Sequence, residues 1–369
     1  MGDTIVYVHP LGARSIPSQY RVIDVTGRYL LPGLIDTHVH LATDPSGRDA
    51  LDHAVARLEH ALKGGVTTVR DMGGDARQLG FLARAALVGD IVSPEIFYSA
   101  IIAGADFMAD PRVLASTRGY AAGAAPWGRA VDDTTDWHDV AVAAWGAGAS
   151  GVKFYADAGA TVVEPMTHAA HQQGLQVWAH ATVFPARPSD LVAAGVDVLS
   201  HASYLIWEAV DSLPDYRLRA RGDFANIPPD HPAIVQLLLA MATRQTTLDP
   251  TLFVFRDRTE DALPWSQAVT RLAWSSDVQL SAGTDNLGED GPNLHDELAL
   301  MVEAGIPIMD VLVAATRNGA RAIGIEDTHG TIEAGRVANL LVLEANPLDD
   351  IANTRRIAMV VKRGVVVDR

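Results

Sequence analysis

Cysteine is absent from this 369-residue chain. That excludes disulfides, thiolate zinc sites and a cysteine nucleophile, and leaves nitrogen and oxygen as the ligand atoms for any metal. Long apolar runs are missing too: no stretch approaches the roughly 20 residues needed to cross a bilayer, so no membrane segment is expected. Basic residues are scarce, 29 against 45 acidic, for a formal net charge of -16. Such a surface repels phosphate backbones and anionic lipid, so neither nucleic acid nor a membrane is an expected partner. The first residues, Met-Gly-Asp-Thr-Ile-Val-Tyr-Val, have no basic start and no long apolar core. No signal peptide is expected, and the cytoplasm is the expected location. Internal repeats and low-complexity tracts are also lacking.

What remains is a composition of 48% hydrophobic and 20% charged residues, that of a globular protein with a large core. The length suits one α/β domain of roughly 250 residues with a smaller unit beside it. Strand-like stretches fall at residues 34–40, 66–71, 95–102, 150–155, 176–180, 196–201, 245–249 and 278–285. Helical patterns lie between them, among others at 50–63, 137–147, 167–173 and 189–194. Eight such units predict a parallel (β/α)8 barrel of the TIM type, with its chemistry at the C-terminal strand ends. Short β-branched segments at 4–8 and 21–25, answered by apolar segments at 338–343, 357–361 and 364–367, predict a small β domain built from both chain termini. The expected division is 1–31 and 328–369 for that domain and 32–327 for the barrel. Two excursions interrupt the barrel pattern. Residues 104–136, rich in Gly, Ala, Asp and Pro, read as a structureless lid or binding segment, and 203–245 form the second.

The predicted strand ends carry the chemistry. His38 and His40 lie two apart at the end of the first strand, so they share a face and can share a metal ion. The fourth strand contributes Lys153, the fifth His180, the sixth His201 and the eighth Asp285. Each histidine alone reads equally well as a packed strand residue, and Asp285 as a helix cap. Together they match the nitrogen and oxygen preferences of Zn²⁺ and neighbouring ions. An ammonium on an inward-facing strand is costly and reads first as the partner of an acidic group. A desolvated neutral lysine can instead add carbon dioxide and become a carbamate, a carboxylate-like ligand able to bridge two metals. Tyr155 and Tyr204 are candidates to hydrogen-bond a developing oxyanion, with packed rim tyrosines as the alternative. Asp71 is expected to orient a neighbour or to be structural, and His295 to be exposed or near a helix cap. His53, His60, His138, His168, His171, His231 and His329, on predicted helices and loops, are assigned no chemistry.

Several of these stretches are familiar as a set: Leu-Pro-Gly-Leu-Ile-Asp-Thr-His-Val-His at 31–40, Gly-Val-Thr-Thr-Val-Arg-Asp at 65–71, Val-Lys-Phe-Tyr-Ala-Asp at 152–157, Gly-Thr-Asp at 283–285, and the tail from Gly330. The chain resembles the amidohydrolase superfamily, in particular its prolidase-like and imidazolonepropionase-like branch. The resemblance implies a distorted (β/α)8 barrel with a β-sandwich from both termini, and a carboxylated Lys153. It departs from the pattern at the start, where the first sandwich strands are not evident. The implied centre is binuclear, with two divalent ions, Zn²⁺ first and Mn, Co or Fe as alternatives. His38, His40 and Asp285 would hold one ion, His180 and His201 the other, and Lys153 would bridge. The expected activity is hydrolysis of an amide-type C–N bond in a small molecule by a metal-activated hydroxide, Asp285 shuttling the proton. Candidate substrates are a dipeptide, an N-acyl amino acid or a cyclic amide. Ester, lactone, carbamate or organophosphate hydrolysis is the alternative chemistry, and a non-catalytic scaffold the alternative class. A homo-oligomer is expected, because barrel exteriors commonly support assembly.

Overall fold

The structure, a computed structural model, describes residues 2–10, 17–18, 20–41, 50–256, 261–285 and 293–368. Its strands are β1 (Tyr29–Pro32), β2 (Leu34–Val39), β3 (Val66–Asp71), β4 (Glu95–Ala103), β5 (Ala124–Ala125), β6 (Gly128–Ala130), β7 (Gly151–Phe154), β8 (Gln176–His180), β9 (Val198–Ser200), β10 (Thr247–Asp249), β11 (Leu340–Leu343), β12 (Ile357–Lys362) and β13 (Val365–Val366). Every residue of β2, β3, β7, β9 and β10 is buried. That is why these segments read as continuous apolar and β-branched runs: in a parallel sheet covered by helices, both faces are inside.

The path β2-β3-β4-β7-β8-β9-β10 is parallel throughout. The predicted eighth strand, 278–285, does not form a regular ladder, yet its backbone closes the ring. On one side the Leu248 amide donates to Gln279 at 2.8 Å and the Ser281 amide to Leu248 at 3.0 Å. On the other, Thr37 donates to Ala282 at 2.9 Å and Asp285 to His38 at 2.8 Å. The barrel is therefore distorted at this seam. Its helices include Leu51–Lys63, which buries Ala54, Leu58, Ala61 and Leu62 against the sheet. Ala160–Gln172 extends the predicted 167–173 by nearly two turns toward the N-terminus. No helix among the described residues is long and apolar enough to cross a membrane.

The sequence expectation fails at four places outside the seam. Residues 4–8 and 21–25 are not strands: Thr4 makes a single bridge to Val337, and Val22 is 64% exposed. The N-terminal strand of the terminal sheet is instead β1, which pairs antiparallel with β11 in the order β1-β11-β12-β13. Residues 104–136 are not structureless. They form helices Ala105–Met108 and Pro111–Ser116, and β6, which adds to β4. Trp127 is buried there and donates its Nε1–H to Ser116 at 2.9 Å. His295 is only 4% exposed, its ring nitrogens bonded to Thr354 Oγ1 and the Gly64 carbonyl, each at 2.9 Å. It ties helix Leu294–Glu303 to the terminal domain.

Glu95, at the start of β4, ties the terminal sheet to the barrel. Its carboxylate accepts from Asn339 at 2.8 Å, His329 at 3.2 Å and Arg363 at 2.8 Å. Burial pushes this carboxyl up, but the hydrogen bonds from His329 and Asn339 and the charge of Arg363 outweigh it and hold the pKa at about 2. Because the folded value lies below the ordinary 4.5, the stabilisation is complete above that pH and is lost as pH falls toward 2. It amounts to roughly 3 kcal/mol. Urea unfolding between pH 5 and 2.5 should show this acid loss in the wild type and a flatter profile in Glu95→Gln; identical profiles would contradict the assignment.

Candidate metal centre

At the C-terminal mouth of the barrel the strands bring His38, His40, Lys153, His180, His201 and Asp285 together. Ring centroids of His38 and His201 are 5.0 Å apart, those of His180 and His201 4.8 Å, and those of His38 and His40 5.7 Å. His38 Nε2 and His40 Nε2 lie 3.6 and 3.4 Å from the same oxygen of Asp285. Among the described residues, His38, His40 and Asp285 form the cluster whose ligand atoms all lie within 4.8 Å of one another.

Each imidazole is oriented through Nδ1. His38 donates to Asp249 Oδ2 at 2.8 Å, His180 to the Tyr155 carbonyl at 2.7 Å, and His40 to the Gly73 carbonyl at 3.4 Å. His201 Nδ1 pairs with Thr251 Oγ1 at 2.8 Å. A carbonyl or carboxylate can only accept, so His38, His40 and His180 each carry a proton on Nδ1, and in His38 and His180, whose rings are held neutral, the Nε2 lone pair is kept for a ligand-type interaction. Lys153 is wholly buried in β7, and its Nζ has no hydrogen-bond partner.

Beneath the ligand-type residues lies a polar layer. Asp249, at the end of β10, accepts from His38, from Ser200 at 3.1 Å and from Arg70 at 3.3 Å. Arg70 also donates to the carbonyls of Thr37 and Ala322 and lies 4.7 Å over the Trp178 ring. Asp36 accepts from the Thr284 amide at 3.1 Å and its hydroxyl at 2.9 Å, clamping the turn that carries Asp285. Gly283 is required in that turn, since a Cβ there would lie 2.4 Å from Asp249 Oδ1 and 2.6 Å from His38 Cβ.

A family model described as the amidohydrolase family matches residues 29–367. The chain belongs to the amidohydrolase family. Solved structures similar to this amidohydrolase include a Xaa-Pro dipeptidase with bound methionine, at TM-score 0.78 and 22% identity over 100% of this chain and 94% of that one. Molinate hydrolase follows the same fold at TM-score 0.76 and 19% identity, over 99% of this chain and 89% of that one. An allantoinase of Enterococcus faecalis (strain ATCC 700802 / V583) is 48% identical over 54 residues, 14% of this chain. The match spans only 12% of that relative's length.

All six ligand candidates read from the sequence of this amidohydrolase meet at the mouth. The two tyrosines are close by in different ways. Tyr155 sets its ring edge-on to His180 at 4.9 Å, under the stacked ring of Phe107 at 5.3 Å, and donates its hydroxyl to the Met72 carbonyl. Tyr204 is half-buried, its ring 5.7 Å from His180 and 5.5 Å from His201. Asp71 shapes the loop beside His40, accepting from the amides of Leu41 at 3.1 Å and Gly73 at 3.3 Å. Sequence reasoning missed Asp36, Asp249 and Thr251. For Asp249 the signal was its position at the end of the seventh predicted strand, in Thr-Leu-Asp-Pro. For Asp36 and Thr251 no sequence pattern distinguishes a clamp from an ordinary polar residue.

Burial, reinforced by the charge of Lys153, pushes His38 and His180 well below the ordinary histidine range. For His40 burial also pulls down, but the hydrogen bond and charge of Asp285 outweigh it and raise the pKa. Asp285 is lowered in turn, the charges of His38, His40 and Lys153 overcoming its burial. In metal-free protein at pH 6, imidazole ¹⁵N shifts should therefore show His38 and His180 neutral with the proton on Nδ1, and His40 charged. A charged His38 at that pH would contradict this electrostatic picture.

Proposed function

We propose that this chain is a metal-dependent hydrolase of amide-type C–N bonds, acting on a dipeptide, an N-acyl amino acid or a cyclic amide. The observation that carries the reading is Lys153. A buried, unpartnered ammonium is among the costliest arrangements in a protein. Burial, with the charge of Arg70, lowers its pKa to about 7. The neutral amine is then available to add carbon dioxide: a new N–C bond forms, one proton is released, and the resulting carbamate is anionic and acceptor-rich. Four imidazoles, three bonded through Nδ1 to a carboxylate or carbonyl, and an ionised Asp285 around such a group fit two divalent ions. His38, His40 and Asp285 would hold one, His180 and His201 the other, with carboxylated Lys153 between them.

Bound there, the ions would supply Lewis acidity toward a substrate carbonyl and lower the pKa of water from 15.7 to about 7. The side chains supply the rest. Asp285, kept ionised by its neighbours, accepts the proton of the attacking water and delivers it to the leaving nitrogen, without which the amine is a poor leaving group. Tyr204, beside His180 and His201, is assigned to the developing oxyanion. Tyr155, its hydroxyl committed to Met72, holds His180 in place by its carbonyl and ring. Helix Ala105–Met108 sets Phe107 over Tyr155, so residues 104–136 are assigned to substrate contact at the mouth.

Metal-loaded enzyme should be tested on a panel of dipeptides, N-acyl amino acids and cyclic amides, with a lactone alongside. C–N hydrolysis is expected, with Asp285→Asn lowering kcat by about 10²–10⁴ at unchanged far-UV circular dichroism. Turnover of the lactone alone, or full activity in Asp285→Asn, would overturn the proposal.

A further inference from the structure

Helix Leu294–Glu303 packs beside the barrel mouth, and its Glu297 is wholly buried. No ligand-type residue touches this carboxylate. Its oxygens accept instead from the backbone amides of Leu252 at 3.0 Å and Phe253 at 2.6 Å. These amides open the short 3-10 turn Phe253–Phe255 that follows β10, and first-turn amides have no partner within their own helix. Glu297 therefore caps that turn from outside it.

The capped turn bears on His201 at two points. Thr251, immediately before Leu252, holds the Oγ1 that lies 2.8 Å from His201 Nδ1. Phe255 sets its ring edge-on to His201, centroids 6.2 Å apart. Thr251 is itself in the left-handed backbone region, at φ 49°, as is His201 at φ 76°. Neither residue is glycine, so each conformation is unfavourable by itself and must be held by its surroundings. Two strained residues facing one another need an external tether, and the Glu297 carboxylate is buried where such a tether is required.

We infer that Glu297 is a positioning residue: by capping the Phe253–Phe255 turn it fixes Thr251 and Phe255, and through them the ring of His201. The inference rests on the reading of the mouth as a metal centre, and it concerns the ion assigned to His180 and His201 rather than that assigned to His38, His40 and Asp285. Removing the cap weakens one ion of the pair and leaves the other nearly unchanged. Loss of a hydrogen-bond partner that orients a metal ligand typically costs about 10–100-fold in affinity.

The test is Zn²⁺ affinity of the full chain, measured by chelator competition on wild type, Glu297→Ala, Glu297→Gln, Thr251→Val and the double variant Glu297→Gln/Thr251→Val. His201 imidazole ¹⁵N shifts are recorded on the same metal-free samples. Asp296→Ala, which removes the exposed pair with Arg355 and leaves the Glu297 cap in place, is the control on the same helix. Glu297→Ala should weaken one of two Zn²⁺ ions about 10–100-fold and broaden or shift the His201 signals. Glu297→Gln keeps one acceptor oxygen and should recover most of the affinity. Its effect should not add to that of Thr251→Val, because both act on one ring. Should Glu297→Ala fail to fold, the Gln and Thr251 variants and their double carry the test. Two ions bound with wild-type affinity and unshifted His201 signals in the Glu297 variants would overturn the inference, as would strict additivity. A wild type that binds no Zn²⁺ while its His201 shifts still respond to Glu297→Gln would overturn the metal reading and leave the cap intact.

Discussion

A lysine nitrogen with no hydrogen-bond partner, sealed inside β7 of a barrel, sets the terms for everything around it. Left charged, it would destabilise the fold, since an unpaired buried ion costs several kcal/mol even after relaxation. Left neutral, it still lacks an acceptor. Arg70, close enough to push the ammonium further down, makes the charged form harder still to keep. The charges of Asp249 and Asp285 pull the other way without overcoming burial, and Asp249 accepts from His38, Ser200 and Arg70 rather than from Lys153. On the proposed reading a carbamate answers both problems, turning a costly nitrogen into an anionic acceptor beside His38 and His180, the rings its charge acts on. The stability of the barrel interior and the proposed chemistry are thus two sides of one arrangement.

Holding that arrangement requires supports that touch no substrate. Asp36 clamps Thr284 and with it the turn of Asp285, which sits at φ 51°. Asp249 fixes the His38 ring and links it to Arg70, which in turn joins β3 to the Ala322 carbonyl of helix Arg317–Ile323. Strained backbone of this kind persists where the surroundings over-determine it. Here the surroundings are buried carboxylates, each satisfied by backbone amides, hydroxyls or a guanidinium. Such a layer beneath the ligand-type residues fixes ring orientation more tightly than strand geometry alone.

The sequence disclosed those features that depend on local pattern. Strand β8 runs from Gln176 to His180, the stretch expected from its short apolar run Val-Trp-Ala, and the parity of His38 and His40 follows from the two-residue period of a strand. All six ligand-type residues could be found because strand ends in a barrel share one mouth, so each needed only its own position. Features that depend on long-range partners were not legible. Residues 21–25 have the composition of a strand, but the edge of β11 is occupied by β1, a competition that composition does not encode. The order in residues 104–136 comes from β6 joining β4 and from Trp127 reaching Ser116. His295 looked like a helix-start residue because its partners, Gly64 and Thr354, lie 231 and 59 positions away.

The central claim is that Lys153 joins two metal ions, and elemental analysis of freshly purified protein, wild type beside Lys153→Ala, tests it most directly. The account predicts about two equivalents of a divalent metal such as Zn in the wild type and a clear fall in the variant. A single equivalent that survives Lys153→Ala unchanged, or no metal in the wild type, would contradict it.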